Sequence, residues 1–171
     1  DPGFVSESMW KLVNRFVRSG IRIIEGDILV DAHLFDDLHR DPNREGGGND
    51  RAYSAPVSAM SFNWNAVNVF VRPHSKVKRR GRVFLDPPNG LIQLKNSVVT
   101  QKRSSALAVK RRQSAKGQDI IFASGAIGLQ DDEKVFYKNI SNPSLWSGHQ
   151  LKEFLKRRGV SVNGSVKSAP E

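Results

Sequence analysis

Two segments, one near each end of the chain, have the hydrophobic spacing of an amphipathic helix followed directly by short strands. The first repeats hydrophobic residues at helical intervals, at Met9, Leu12, Val13, Phe16 and Val17. Ser6 is placed to cap this helix, and Gly20 is placed to end it, since glycine adopts the left-handed conformation without steric cost. Residues 21–24 and 27–31 then predict two strands, with a turn at Glu25 and Gly26.

The second segment repeats this order. Asn142 is a good helix cap and Pro143 occupies the first helical position, which proline prefers. The apolar side of this helix consists of Trp146, Leu151, Phe154 and Leu155. Gly159 ends the helix, and residues 160–166 are again branched residues interrupted by glycine. Because helix, glycine and strand follow in the same order at both ends, we expect the two ends to share one sheet.

The middle of the chain has the short alternating runs of β-structure. Residues 39–50 are polar and rich in glycine, and residues 53–60 are small enough to pack closely. Candidate strands cover residues 66–72, 82–85, 91–95, 97–101, 107–111, 119–123 and 134–137, with turn residues between many of them. The pattern predicts an α/β (α+β) fold, in which a small α/β domain is formed by both chain ends and an antiparallel β-rich domain is nested in the middle. The expected boundaries are 1–70 with 130–171 for the discontinuous domain, and 71–129 for the insertion.

Composition narrows the possible chemistry. The 171 residues include no cysteine, which excludes disulfides, a cysteine nucleophile and thiolate metal sites. No apolar run approaches the roughly 20 residues of a membrane-spanning helix. The sequence begins at Asp1 without a basic and apolar leader, so we expect it to start after a cleavage or within a longer chain.

Positive charge is the strongest compositional feature, with a formal net charge of +10. The basic residues form three groups: Lys76, Lys78, Arg79, Arg80 and Arg82; Lys102, Arg103, Lys110, Arg111, Arg112 and Lys116; and Lys152, Lys156, Arg157 and Arg158. Such a field attracts polyanions. Solvated basic faces are the favoured interpretation, because no nucleic-acid-binding motif accompanies the charge and aromatic residues are not interleaved with it.

No metal or cofactor site is predicted. The four histidines, His33, His39, His74 and His149, are not paired at the spacing of metal ligands, although Asp36, Asp37 and Asp41 lie near two of them. The three glycines at 46–48 are not followed by the lysine of a phosphate-binding loop. We therefore interpret these residues as polar surface and loop positions.

Serine chemistry has only fragmentary support. Ser75 and Lys78 match an SxxK pattern, which on a helix can provide a nucleophile and a base. This tetrad follows Pro73 and lacks an apolar helical face, so we interpret it as a basic turn. SxN patterns occur at 61–63 and 161–163, but no KTG or KSG is present. Such short patterns arise by chance, and no catalytic residue is predicted in this chain.

Three longer blocks carry a family resemblance. Residues 1–4 with the first helix, residues 19–31 and Phe35 resemble the pattern DP.L, helix, GI..I.GD...D...F of class C penicillin-binding proteins. Residues 53–63, with Asn65 and Val67, are similar to Y.APVSALS.N.N.V, and residues 142–160 resemble the helix before the GI.V.G strand. These proteins are D-alanyl-D-alanine carboxypeptidases and endopeptidases, and the three blocks occur in the family order.

The resemblance implies an internal segment of a periplasmic serine enzyme. In the family, SxxK lies upstream of this stretch, while SxN and KTG lie downstream, so the chain resembles the insertion between them. It implies accessory domains of an enzyme that acts on peptidoglycan stem peptides and is acylated by β-lactams. It also implies that this segment alone is inactive, and it brings no cofactor, specific nucleic acid or transmembrane segment.

The resemblance also suggests two substrate-binding residues. In relatives, the loop before the Y.AP block carries tryptophans and an aspartate that help to hold the diaminopimelate end of the stem peptide. Residues 43–50 of this chain contain no tryptophan, and Asp50 and Tyr53 are the candidates that remain. The alternative is a loop carboxylate and a packing tyrosine.

A rival function remains open. The basic, β-rich residues 72–116 could form a binding module for an anionic cell-wall polymer, a partner protein or nucleic acid, with the resemblance restricted to the fold.

Overall fold

The computed structural model of the chain describes residues 3–34, 38–40 and 49–169. Two helices are present in this part of the chain, α1 (Ser6–Val17) and α2 (Pro143–Arg157). Both coincide closely with the predicted helices. Gly20 and Gly159, which follow them, have φ angles of +85° and +76°, as expected of glycines that end helices.

The strands also occur near the predicted positions, although Ser105–Gln113 and Asp119–Gly128 extend beyond the predicted ranges 107–111 and 119–123. The strands at the two ends are β1 (Ile23–Ile24), β2 (Ile28–Val30), β10 (Ser161–Val162) and β11 (Val166–Ser168). Those of the middle are β3 (Ala66–Arg72), β4 (Arg82–Asp86), β5 (Gln93–Asn96), β6 (Val99–Gln101), β7 (Ser105–Gln113), β8 (Asp119–Gly128) and β9 (Lys134–Asn139). Short 3-10 turns lie at Ala52–Ser54 and Asn63–Asn65.

The two ends of the chain pair with each other in parallel. Ile23 lies opposite Ser161 in the β1–β10 pair, and Ile28 lies opposite Val166 in the β2–β11 pair. The expected partnership of the ends is therefore present, but as two separate two-stranded pairs rather than one sheet. The short strands explain the difference, because turns at Gly26 and Gly164 interrupt both units at matching positions.

The middle strands form two sheets. β3 is central in the antiparallel order β4-β3-β9. In the second sheet, β8 pairs with β7 in antiparallel orientation but with both β5 and β6 in parallel orientation. The mixed α/β fold class is confirmed, while the nested sheet is mixed rather than purely antiparallel. Strand spacing in the sequence does not encode which strands meet: β6 pairs with β8 although β7 lies between them in the chain.

The start of α1 differs from the expectation. The helix begins at Ser6 with Val5 as N-cap, and no side chain at the cap position bonds to the helix. Instead, Asn63 caps it from far along the chain: its Oδ1 accepts from the Ser6 N–H at 3.0 Å, and its Nδ2 donates to Ser6 Oγ at 3.0 Å. At α2, by contrast, the Asn142 side chain accepts from the Leu145 N–H at 2.9 Å, as predicted.

Buried hydrophobic residues from both helices and from the middle sheets form one cluster. Its centre is aromatic: Phe62 packs against Trp146 and Phe154, with ring centroids 6.3 Å apart in each pair. The Trp146 indole N–H donates to the Phe62 carbonyl at 3.1 Å, which satisfies the polar atom of this buried ring. Neither described helix has the length and hydrophobicity needed to cross a membrane.

Candidate functional site

Asp50 is held at the junction of β7 and β9. Its Oδ1 accepts from Lys138 Nζ at 2.9 Å, and its Oδ2 accepts from the backbone N–H of Arg111 at 2.8 Å. Partial burial opposes the charged form of this carboxylate. The hydrogen bonds and the positive charges of Lys138 and Arg111 outweigh that penalty, so the pKa of Asp50 is held below its usual value. Both oxygens thus serve to fix the segment that begins at Asp50.

A second polar group extends this anchor into the interior. Arg111 and Asp119 form an ion pair at 2.8 Å, with 8% and 5% of their side chains exposed. Arg111 Nε also donates to Asn139 Oδ1 at 2.9 Å, and the Asn139 amide donates to the carbonyls of Asn49 and Ser54, each at 2.9 Å. Residues 49–54 are therefore tied to the sheets on both sides of Asp50.

Tyr53 projects from this anchored segment to the surface. Its side chain is 59% exposed, and its hydroxyl accepts from the Asn49 amide at 3.2 Å. It borders a cleft of about 660 Å³ whose wall also includes Trp64, Asn68, Asp86 and Tyr137. Trp64 and Tyr137 are 68% and 60% exposed, so three large aromatic side chains surround this opening. Exposed aromatics gathered at one cleft are typical of a binding surface.

The backbone that presents Trp64 is unusual. Asn63, Trp64 and Asn65 have φ angles of +47°, +53° and +52°. Asparagine tolerates this left-handed region, but a tryptophan there is strained. The neighbouring asparagines hold the turn, since Asn63 caps α1 and Asn65 Nδ2 donates to the Pro56 carbonyl at 2.9 Å. Strain of this kind is concentrated at functional sites.

The short serine patterns do not form a reactive group in the described structure. Ser75 and Lys78 lie in an exposed turn rather than on a helix, as interpreted from the sequence. Ser61 Oγ donates to the Ser58 carbonyl at 2.9 Å, and Asn163 Nδ2 donates to Glu25 Oε2 at 2.7 Å. These residues have structural partners.

The histidines are dispersed. His33 Nδ1 lies 2.9 Å from Asp31 Oδ1, His39 Nδ1 lies 3.0 Å from the Val57 carbonyl, and His74 Nδ1 accepts from the Lys76 N–H at 3.1 Å. Burial lowers the pKa of His149, with Lys152 adding to the effect. Within residues 3–34, 38–40 and 49–169, no three acidic or histidine side chains come together as metal ligands. Asp36, Asp37 and Asp41 lie outside the described residues, as do Phe35 and residues 43–48.

Comparison with known protein families identifies the family of this chain. All of residues 1–171 match the D-Ala-D-Ala carboxypeptidase 3 (S13) family. The chain belongs to this family. A D-alanyl-D-alanine carboxypeptidase from Actinomadura sp. (strain R39) is 26% identical over 97% of the chain, and the match covers 32% of that protein. The chain thus spans about a third of the length of this relative.

Solved structures agree with the fold. Penicillin-binding protein 4 from Haemophilus influenzae superposes on 100% of the chain with a TM-score of 0.71 and 13% identity, and the match covers 38% of that protein. The same protein in complex with a β-lactam gives a TM-score of 0.58 at 14% identity, with 35% of it covered. The resemblance to penicillin-binding proteins noted from the sequence is confirmed.

Sequence reasoning selected Asp50 and Tyr53 as candidates but did not predict the residues that surround them. Lys138 and Arg111, the partners of Asp50, lie 88 and 61 residues away along the chain. Trp64 was missed because nothing local marks it as exposed. The paired asparagines beside it were the available signal, since asparagine is enriched at left-handed positions.

Proposed function

We propose that this chain forms the accessory domains of a serine-type D-Ala-D-Ala carboxypeptidase or endopeptidase that acts on peptidoglycan stem peptides. The observation that carries the proposal is the S13 match over all 171 residues, combined with coverage of only 32% of the carboxypeptidase from Actinomadura. In the proposed enzyme, the nucleophilic serine and its base come from sequence outside this chain. Such an enzyme works outside the cytoplasm, and we place it in the periplasm.

The proposed role of this chain is to form part of the wall of the substrate cleft. Asp50 and Tyr53 serve substrate binding in different ways: Tyr53 contacts the stem peptide, and Asp50 holds the segment that carries it. The exposure of Tyr53 and the two hydrogen bonds to the Asp50 carboxylate support this division of roles. Trp64 and Tyr137 extend the apolar side of the same cleft.

The proposed organisation has residues 1–70 and 130–171 in one discontinuous domain and residues 71–129 in a nested one. The parallel pairing of the chain ends and the separate mixed sheet support it.

Labelling with a fluorescent penicillin tests whether the acylated serine lies outside this chain. The isolated 171-residue chain is expected to remain unlabelled and to release no D-alanine from a D-Ala-D-Ala peptide, whereas the full-length protein encoded by the same gene is labelled covalently. Covalent labelling of the isolated chain would contradict the proposal, because the acylated serine would then lie within it.

The full-length protein tests Tyr53 in the same assay. Tyr53→Ala is expected to raise KM for a diaminopimelate-containing peptide several-fold, while the rate of acylation by penicillin, which lacks that side chain, stays near the wild-type rate. Tyr53→Phe is the matched control, since it keeps the ring. Equal effects on peptide and penicillin would show that Tyr53 supports the fold rather than the substrate.

A further inference from the structure

A second concave surface lies on the outer face of the nested sheet, apart from the Tyr53 cleft. The register of strands β5, β7 and β8 explains which side chains line this surface. Lys95 of β5 and Lys110 of β7 both lie opposite Phe122 of β8, and Arg112 lies opposite Ile120, two residues earlier on β8. Residues paired directly across strands point to the same face, and every second residue does so as well. The side chains of Lys95, Lys110 and Arg112 therefore share one side of the sheet.

Arg80 adds a fourth cation from the connection between β3 and β4. It is held there by a bridge to Val99 and lines the same pocket, which has a volume of about 750 Å³. Among the described residues, no aspartate or glutamate lines this pocket. None of the four cations takes part in an ion pair within the described part of the chain. We call these four residues, Arg80, Lys95, Lys110 and Arg112, the basic pocket.

This arrangement works against stability. Like charges held on neighbouring strands repel each other, whereas the Arg111 side chain, which is 8% exposed, is paired with Asp119. A face that concentrates positive charge without a compensating carboxylate attracts anionic ligands.

The floor of the pocket limits what that ligand can be. The Phe122 ring already has Lys95 Nζ at 5.4 Å and the Arg112 guanidinium at 5.9 Å from its centroid. These contacts hold the two cations in place and occupy the ring, so Phe122 is not available for stacking a nucleobase, as binding of single-stranded nucleic acid requires. Ser124, which is exposed, adds a hydroxyl to the lining.

The directions of the cations favour phosphate over carboxylate. The four side chains reach the pocket from β5, from β7 and from the β3–β4 connection. The non-bridging oxygens of a tetrahedral phosphodiester accept hydrogen bonds from directions outside a single plane, while the lone pairs of a carboxylate lie in one plane. We propose that the basic pocket binds the phosphate groups of a base-free phosphodiester polymer, that is, a polyol phosphate chain. This inference does not rest on the peptidase proposal.

Binding of the 171-residue chain to poly(glycerol phosphate) tests the inference. The comparison ligands are poly-glutamate of matched length and a single-stranded oligothymidylate, each measured at several salt concentrations. We expect poly(glycerol phosphate) to bind most tightly at every salt concentration. Inorganic phosphate alone is expected to shift the backbone amide resonances of Lys95, Lys110 and Phe122 in NMR spectra.

Matched charge variants separate a site from general attraction. The variant Lys95→Gln, Lys110→Gln, Arg112→Gln is expected to weaken binding of poly(glycerol phosphate) by about tenfold or more, with a shallower salt dependence. The control Lys11→Gln, Lys76→Gln, Lys116→Gln removes the same number of charges from exposed positions away from the pocket and is expected to change affinity by less than about threefold. If the triple variant folds poorly, the single variants at Lys110 keep the test decisive: Lys110→Gln is expected to weaken binding, while the conservative variant Lys110→Arg retains it.

Three results would overturn the inference: equal losses in the two triple variants, binding of poly-glutamate as tight as that of the phosphate polymer, or tighter binding of the oligothymidylate. The same substitutions in the full-length protein test the peptidase proposal separately. We expect penicillin labelling of these variants to be unchanged.

Discussion

At the scale of single residues, Asp50 and Asp27 each attach one segment of the chain to another. Asp50 connects the chain before Tyr53 to β7 and β9, and Asp27 accepts from the Ser165 N–H at 2.7 Å, which joins the two ends. The pKa of Asp27 is lowered mainly by its hydrogen bond with Lys167. Each carboxylate therefore stabilises the fold only while it is ionised.

Replacing Asp50 by asparagine tests this role. Lys138, whose side chain is only 10% exposed, would lose its charged partner. We expect Asp50→Asn to lower the free energy of unfolding at neutral pH by about 1–3 kcal/mol. Urea denaturation followed by circular dichroism measures the change.

The pH dependence of that loss follows from the lowered pKa of Asp50. A carboxylate with a lower pKa in the folded state than in the unfolded state contributes stability above the unfolded value of about 3.9, and this contribution disappears as the pH falls through the folded value. The difference between wild type and Asp50→Asn should therefore shrink in acid. Asp132→Asn, at an exposed position, is the control, and a difference that persists unchanged at acid pH would exclude this account.

Tyr53 and Asp50 show which candidate site residues could be predicted from the sequence. A family resemblance was enough to select them, because the Y.AP block is continuous in the chain. Their surroundings were not predictable in the same way. Lys138, Arg111 and Asn63 act on residues 57 to 88 positions away, and no local pattern links such partners.

At the scale of elements, α2 lies unusually close to the paired ends of the chain. A Cβ atom added at Gly148 would lie 2.4 Å from Val166 Cγ1 and 2.7 Å from Val30 Cγ2. Gly148 thus sets the distance between the helix and both β2 and β11. A side chain at this position would separate the helix from the strands.

Gly148→Ala is expected to destabilise the fold. Alanine would favour the helix by about 1 kcal/mol, but overpacking against two valines costs about 1–3 kcal/mol and the contact is too short for small adjustments. Chemical denaturation should show a net loss. The double variant Gly148→Ala, Val166→Ala should recover part of it, and Gly26→Ala, with no atom within 4 Å of the added Cβ, is the matched control. A stabilised Gly148→Ala protein would disprove the close contact.

The positions of the helices and strands were more predictable than the pairing of the strands. The α2 cap, its proline and the glycine after it are local signals, and β3 was predicted with its observed bounds because Pro73 follows it. The parallel pairing of β5 and β6 with β8 was not predictable, since side-chain alternation marks the buried face of a strand but does not identify its neighbour. The cap of α1 was mispredicted for the same reason: its partner, Asn63, lies in another segment.

At the scale of the whole molecule, the proposed domain division can be tested by excision. Val71 of β3 lies opposite Lys134 of β9, and Arg72 forms an ion pair with Glu133 at the end of the same ladder. Residues 73–132 could therefore be replaced by an Asn-Gly turn, which closes such hairpins well.

The shortened protein is expected to keep both helices and both parallel strand pairs, with lower stability because β3 loses β4 as a neighbour and because Asp50 and Asn139 lose their hydrogen bonds from Arg111. Circular dichroism and the amide resonances of α2 are the measurements, with the intact chain as the reference. Loss of the α2 resonances would contradict the division into domains and would indicate that the nested sheet is required for the ends to fold.

The pairing of the two ends has a consequence for synthesis of the protein. Asn163 and Ser165 bond to partners 138 residues earlier in the chain. At about 5–20 residues per second, a ribosome takes on the order of ten seconds to make the intervening sequence. During that time Ile23, Ile28 and their neighbours have left the ribosome without the strands that complete them. The segment that contains β1 and β2 is therefore completed only after β10 and β11 have been translated, and until then it depends on chaperones or on its own polarity to stay out of aggregates.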